Sequence, residues 1–254
     1  MIFETHAHYD DEAFDEDRDA LLQSMQENGI GTIVNVGASL KSTAATVELV
    51  RKYPFVYGAA GVHPNETGEL NEENFAWLKE QAMLPKILAV GEIGLDYYWD
   101  EPEQDVQKYW FERQLDLAAE IGKPVIIHSR DAAQDTLEIM QKKHAEKIGG
   151  VIHCFSYSPE MAQIYIKMGF YIGIGGVVTF KNGKKMKEVV ASVPLEKIVL
   201  ETDSPYLSPE PNRGKRNSSL NIPYIAQQIA GIKAVSYEEV ISVTEANAKR
   251  LYHL

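Results

Sequence analysis

Eight short runs of β-favouring apolar residues recur along this chain, and helical patterns fill the gaps between them. The runs are Ile2–His6, Thr32–Val36, Phe55–Ala60, Ile87–Glu92, Val125–His128, Val151–Cys154, Tyr171–Ile174 and Ile198–Asp203. Most are continuously apolar rather than alternating, the pattern of parallel strands covered on both faces. The segments between them carry specific helix signals. Ser158-Pro159 reads as an N-cap followed by proline at the first helical position, with Gly169 as the stop. Val106, Trp110, Phe111, Leu115, Ala118 and Ile121 recur near helical spacing between Glu103 and Gly122. Ser236 and Glu239 have capping-box spacing ahead of the last helical stretch. A strand–helix unit repeated in this way predicts an α/β fold closed on itself, a (β/α)8 TIM barrel, rather than an open sheet. The 254 residues sit near the roughly 250 typical of that architecture. No linker, low-complexity tract or charge block divides them, so residues 1–254 are expected to form one domain.

Charge and cysteine usage narrow the function classes. A net charge of −12 argues against a broad basic surface that grips nucleic acid unaided, unless bound metal ions and local basic loops supply the positive field. The one cysteine, Cys154, rules out an intrachain disulfide framework and suits a reducing compartment. Met1-Ile2-Phe3-Glu4 offers no basic leader, and no apolar run approaches the ~18 residues of a spanning helix. A cytoplasmic protein with no membrane role and no required protein partner is expected.

The chemistry is concentrated at the strand ends. His6-Ala7-His8 closes the first run, and residues i and i+2 of a strand share a face, so both imidazoles can enter one mouth. Paired imidazoles suit a divalent ion of the Zn, Mn or Fe type. His63, His128 and His153 also lie at or just past predicted strand ends, whereas His144 and His253 read as surface or helix-end residues. Glu92 and Asp203 end the fourth and eighth runs, and a carboxylate buried there needs a cation or several donors. Any one of these residues could be a structural hydrogen-bonding group. Six together, His6, His8, Glu92, His128, His153 and Asp203, converge on the carboxyl-end face where barrel active sites are built. Six donors exceed the four of a tetrahedral zinc and suit two ions joined by a carboxylate. The expected division gives His6, His8, Glu92 and Asp203 to one ion, and Glu92, His128 and His153 to the other. Asp203 is the expected acceptor of the attacking water's proton.

The blocks Thr5-His6-Ala7-His8, Gly61-Val62-His63-Pro64, Gly91 through Tyr97, Pro124 through Arg130, His153-Cys154-Phe155-Ser156 and Glu201-Thr202-Asp203-Ser204-Pro205 occur in this order over nearly the whole chain. In combination they resemble the TatD family of metal-dependent deoxyribonucleases, within the amidohydrolase superfamily of barrels. Residues 212–217, Asn-Arg-Gly-Lys-Arg-Asn, are similar to the loop that follows in that family. The resemblance implies magnesium- or manganese-supported cleavage of DNA phosphodiesters, including 3′–5′ exonuclease removal of nucleotides from 3′ ends or single strands. Zn, Ni or Fe are alternative occupants. Two positions depart from the family pattern: Glu4 stands where Asp is common, and Ala7 where Cys is frequent. Neither removes a ligand.

Several further residues carry weaker signals. The long polar stretch Ser204 to Asn221 follows Asp203, and a loop of that length is usually functional. It holds Arg213, Lys215 and Arg216, of which Arg213 is the expected substrate-phosphate contact. His63 is expected to act on substrate, donating to a scissile phosphate oxygen or protonating a leaving group. Lys181, Lys184, Lys185 and Lys187 read equally as a solvated helix start or a nucleic-acid contact. Cys154 is expected to point away from the face used by His153, as a small buried hydrophobe. Tyr97, Tyr98 and Trp99 read as a loop packed on the rim ahead of a base-stacking surface. A small-molecule amidohydrolase (a lactonase, phosphotriesterase or deaminase) remains the alternative on the same barrel. It is disfavoured because Glu92 stands where a bridging carbamylated lysine would be needed. An inactive metal-binding protein is disfavoured by the intact Asp203.

Overall fold

The computed structural model describes residues 1–254, and its eight strands lie in one parallel sheet in chain order. They are β1 Ile2–Ala7, β2 Ile30–Val36, β3 Val56–Ala60, β4 Ile87–Asp96, β5 Val125–Arg130, β6 Gly150–Ile152, β7 Tyr171–Ile174 and β8 Ile198–Leu200. Seven helices make the crossovers: α1 Arg18–Ser24, α2 Leu40–Lys52, α3 Glu72–Ala82, α4 Gln104–Ile121, α5 Ala133–Lys142, α6 Pro159–Lys167 and α7 Lys184–Ser192. Two more, α8 Ile222–Lys233 and α9 Tyr237–Tyr252, follow β8. The fold is a (β/α)8 TIM barrel. No helix is long and apolar enough to cross a membrane.

Local signals set the helix ends. The Ser158 hydroxyl accepts from the Met161 amide and Pro159 opens α6. Gly122 closes α4 in a left-handed conformation. The Ser236 hydroxyl accepts from the Glu239 amide at 3.0 Å, and such a cap contributes about 1 kcal/mol. Strand ends differ more from expectation. β4 runs four residues past Glu92, while β6 and β8 stop before His153 and Asp203. Cys154 (φ 44°) and Asp203 (φ 57°) are left-handed, a conformation that cannot continue a ladder.

Two apolar layers position the mouth. The outer layer packs Ile33, Ile87, Val125 and Ile198 of the strands against helix residues such as Phe111, Val189 and Ile225. The inner layer joins Phe3, Val34, Ala89, Ile126, Val151 and Val199 from six strands with Leu251 and Tyr252 of α9. The Tyr252 ring stacks on Phe3 at 6.0 Å and its hydroxyl donates to the Thr5 carbonyl at 2.9 Å. Strand alternation then carries three inner-layer positions to polar residues two places on: Ile126 to His128, Val151 to His153, and Val199 to Glu201. β1 and β4 break that rhythm. Phe3 and His6 are three apart, as are Ala89 and Glu92, and register shifts between Glu4 and Ala7 and between Val90 and Ile93 absorb the odd residue.

The barrel closes between β8 and β1 through a single parallel bridge, Ala7 to Ser204. Side chains supply much of the rest. The Glu4 carboxylate, fully buried, accepts from the amides of His6 (3.1 Å) and Thr202 (2.9 Å) and from the Thr202 hydroxyl (2.7 Å). Burial pushes its pKa up to about 8, against the pull of those donors. The backbone bonds from Asp203 to the His6 carbonyl (3.0 Å) and from His8 to the Ser204 carbonyl (2.8 Å) finish the seam.

Candidate metal centre

Glu92 is the hub. Its Oε2 lies 3.4 Å from His6 Nε2 and 3.6 Å from His8 Nε2. Its Oε1 lies 2.8 Å from His128 Nδ1 and 3.0 Å from His153 Nε2. Asp203 Oδ1 faces the first pair, 3.7 Å from His6 and 3.4 Å from His8, whose own Nε2 atoms are 3.1 Å apart. Donors sharing one ion at about 2.1 Å stand about 3.0 Å apart at right angles and about 3.4 Å apart at tetrahedral angles. The donor set fits shared cations by that measure. The two facing imidazole nitrogens are satisfied either by one shared proton or by a cation.

The remote atom of each ring is equally informative. His8 Nδ1 is 2.8 Å from the Val36 carbonyl, which only accepts, so Nδ1 carries the proton and the Nε2 lone pair faces the site. His128 Nε2 meets Asp96 Oδ2 at 3.1 Å. His153 Nδ1 is 3.6 Å from Glu201 Oε1. His6 is stacked on His153 at 3.7 Å between ring centres, and its Nδ1 has no partner. His153 Nδ1 and Glu201 Oε2 are likewise buried without a hydrogen bond. Glycines make this crowding possible. A Cβ at Gly94 (φ 145°) would collide with the His128 carbonyl, and one at Gly173 with the Glu201 carboxylate.

Electrostatics follow from the packing. Burial alone would raise the Glu92 carboxyl, but His153, His128 and His6 hold it well below the usual carboxylate range. Burial opposes charge on His8, yet Asp203 and Glu92 push it up to about 9. His6 goes down through burial and its neighbour His153. Burial and His128 push His63 down to about 3. His63 Nδ1 accepts from the Asn65 amide at 3.2 Å, so the ring proton sits on Nε2, 3.8 Å from Glu92 Oε1. Without an ion, histidine protons balance the Glu92 and Asp203 carboxylates, and a metal ion would have to displace those protons to bind the same ring nitrogens.

The profile of the family described as TatD related DNase matches residues 3–253. The chain belongs to the TatD family of metal-dependent hydrolases. It is 43% identical over 254 residues, covering 100% of both chains, to the uncharacterized metal-dependent hydrolase YabD of Bacillus subtilis (strain 168). It is 34% identical over 247 residues, 95% of each chain, to the 3′-5′ ssDNA/RNA exonuclease TatD of Erwinia billingiae (strain Eb661). Among solved structures, YJJV, a TatD homologue from Escherichia coli K12, matches with a TM-score of 0.93 at 28% identity, covering 100% of this chain and 98% of that one.

In this TatD-family chain the centre opens into a cavity of about 810 Å³ whose wall includes His63, Trp99, Arg130 and Tyr206. Arg130 is the single arginine or lysine among the lining residues. A separate cleft of about 880 Å³ between α1 and α2 is lined by acidic residues and their basic partners and holds no histidine. Arg213 does not line the metal cavity. Its guanidinium stacks over Phe180 at 4.2 Å. Arg216 is committed to Asp17, through bonds of 2.7 and 2.6 Å, and to the Ala13 carbonyl at 2.7 Å. Lys187 donates to the Phe180 carbonyl and Lys185 to that of Ser156, while Lys184 pairs with Glu188, as a structural helix start would have them.

Cys154 overturns its expectation. Because β6 ends at Ile152, alternation no longer applies, and the left-handed turn leaves Cys154 half-buried on the wall of the metal cavity. Burial pushes its thiol up, which disfavours the thiolate. Asp96, Glu201 and Arg130 were the residues the sequence left without a role. For Asp96 and Arg130 the signal is period two, Glu92 with Asp96 on β4 and His128 with Arg130 on β5, whereas Glu201 continues the alternation of Val199.

Proposed function

We propose that this hydrolase is a deoxyribonuclease that cleaves phosphodiester bonds with two divalent ions, as a 3′–5′ exonuclease on 3′ ends or single strands. The observation that carries the reading is the division of Glu92, with one oxygen toward His6 and His8 and the other toward His128 and His153. His6, His8, Glu92 and Asp203 would hold one ion, and Glu92, His128 and His153 the second. Mg or Mn would support turnover, and Zn, Ni or Fe suit the same nitrogen and oxygen donors. Divalent ions, when bound, supply charge that polarises a phosphoryl oxygen and acidifies water.

The chain's own groups do the remainder. Asp203, with its side chain 18% exposed to the cavity, accepts the attacking water's proton. His63 presents Nε2–H to a phosphoryl oxygen, a role its neutral ring suits better than proton delivery. Arg213 takes a flanking phosphate beyond the cavity. The name of the Erwinia relative, a 3′-5′ ssDNA/RNA exonuclease, supports a single-stranded nucleic acid as substrate. The small-molecule alternative draws no comparable support. No lysine lines the cavity, and likeness to an organophosphorus hydrolase at 13% identity concerns the fold alone. The test is to strip the protein of metal and restore single divalent ions. It is then assayed on 3′- and 5′-labelled single- and double-stranded DNA beside lactone and phosphotriester probes. Turnover of the probes without DNA cleavage would overturn the proposal.

A further inference from the structure

Two large aromatic side chains stand uncovered beside the metal cavity. Tyr98 and Trp99 are 54% and 56% exposed, and Trp99 lines the cavity wall together with His63 and His128. Exposure of this kind forfeits the burial an indole ordinarily gains. It is not the result of a loose loop. Buried Gln107 of α4 grips both ends of the segment: its Oε1 accepts from the Asp96 amide (2.9 Å), and its Nε2 donates to the carbonyls of Asp96 and Pro102 (both 3.0 Å). The Tyr98 amide donates to Asp96 Oδ1 at 3.0 Å, the carboxylate whose other oxygen meets His128. Tyr97 is the packed member, with its hydroxyl bonded to Asp135 at 2.6 Å. The packed-loop reading therefore holds for Tyr97 and fails for its two neighbours.

Arg130 completes the rim. Its guanidinium lies 3.7 Å from the Tyr98 ring centre, and it is the one fixed cation lining the cavity of a protein with net charge −12. Arg130 follows His128 by two residues on β5 and is in register with Asp96 of β4, so the strand that points His128 inward also points Arg130 to the mouth. A rigid, wet aromatic face beside an unneutralised guanidinium suits a ligand with a flat apolar face and an anionic link. That combination describes a nucleotide within a single strand.

We propose that Trp99 and the Arg130–Tyr98 stack form a nucleotide subsite. The indole takes the face of the base next to the phosphodiester held at the metal centre, and Arg130 takes the adjoining phosphate. This rests on the nuclease reading and adds where the substrate strand lies. Stacking of this type is indifferent to base identity, because every base has a π-face. The subsite therefore distinguishes a base from no base rather than one base from another.

The test compares metal-loaded wild type, Trp99→Ala and Trp99→Phe on two single-stranded oligodeoxynucleotides that differ only in an ordinary or an abasic 3′-terminal nucleotide. Trp99→Ala should lower kcat/KM on the ordinary strand roughly five- to 150-fold and leave the abasic strand almost unchanged, with Trp99→Phe in between. A phosphorothioate strand resistant to cleavage should quench tryptophan emission in wild type but not in Trp99→Phe. Trp110 is buried and Trp77 lies outside the cavity wall, so neither reports on the rim. Arg130→Ala should reduce the salt dependence of binding by about one unit of slope. Equal losses on ordinary and abasic strands would reduce Trp99 to a structural residue and overturn the subsite while wild type still cleaves. Failure of wild type to bind or cleave either strand would overturn the nuclease reading itself.

Discussion

Two sets of imidazoles meet one carboxylate, and they are held by different means. On the Oε2 side of Glu92, His6 lies on β1 and His8 directly follows it, and Asp203 brings its carboxylate to the front. Behind them stands only the neutral Val36 carbonyl. On the Oε1 side, His128 lies on β5 and His153 just past β6; Asp96 bonds the far nitrogen of His128 at 3.1 Å, while Glu201 stands 3.6 Å behind His153 without a hydrogen bond. A carboxylate behind a ring orients it and strengthens it as a donor. One in front can also move a proton. On the nuclease reading proposed above, the first side would carry the proton transfer and the second would chiefly hold an ion.

The contrast breaks hardest at Asp203. Asp203→Asn keeps an oxygen toward His6 and His8 but cannot accept a proton, so hydrolysis should fall roughly a hundred- to ten-thousandfold with metal content retained. Near-normal turnover at full occupancy, measured by elemental analysis beside a rate assay, would remove Asp203 from proton transfer. Next comes Asp96→Asn, which leaves the His128 ring in place without its anionic support. Calorimetric metal titration should show one binding event weakened about ten- to a hundredfold and the other unchanged. Equal weakening of both events would erase the difference between the two sides.

Smaller effects test the loop that extends the Asp203 side, residues 204–221. Arg213→Ala should weaken DNA of every sequence alike and lower the salt slope of binding by about one unit, with metal content unchanged. Identical slopes would make the loop a solvated lid. Arg216→Ala should do neither. Its pairing with Asp17 is partly solvated, so the loss in urea denaturation is at most about 1 kcal/mol. A change in its DNA salt slope would transfer the phosphate contact from Arg213 to Arg216.

Much of this was legible in the residues, and the failures have physical causes. Parallel strands covered on both faces leave continuous apolar runs, so eight runs implied eight strands. His128 and His153 continue the inward alternation of Ile126 and Val151, which sequence parity reveals. His6 and Glu92 do not keep that parity, because irregular register in β1 and β4 shifts the phase by one residue, and nothing in Thr5 or Gly91 announces it. The same limit misplaced Cys154, where an early strand end voided the alternation argument. The polarity of a loop does not show which way its cations face. Arg213, in a polar loop, stacks on Phe180, whereas Arg130, at the end of an apolar strand, lines the cavity.

The seam between β8 and β1 also sets an order of assembly. Glu92 and His128 lie on β4 and β5 and His153 directly follows β6, three elements each paired with the next, so short closures bring them together. His6, His8 and Asp203 meet only across the seam, where Glu4 bonds Thr202 over a separation of 198 residues and Tyr252 reaches Thr5 over 247. Contacts of such range form late, and on a growing chain they must wait for synthesis to deliver both partners. The Oε1 side of Glu92 can gather its histidines first. Asp203 arrives last, so the cluster of six side chains is complete only when the barrel has become whole.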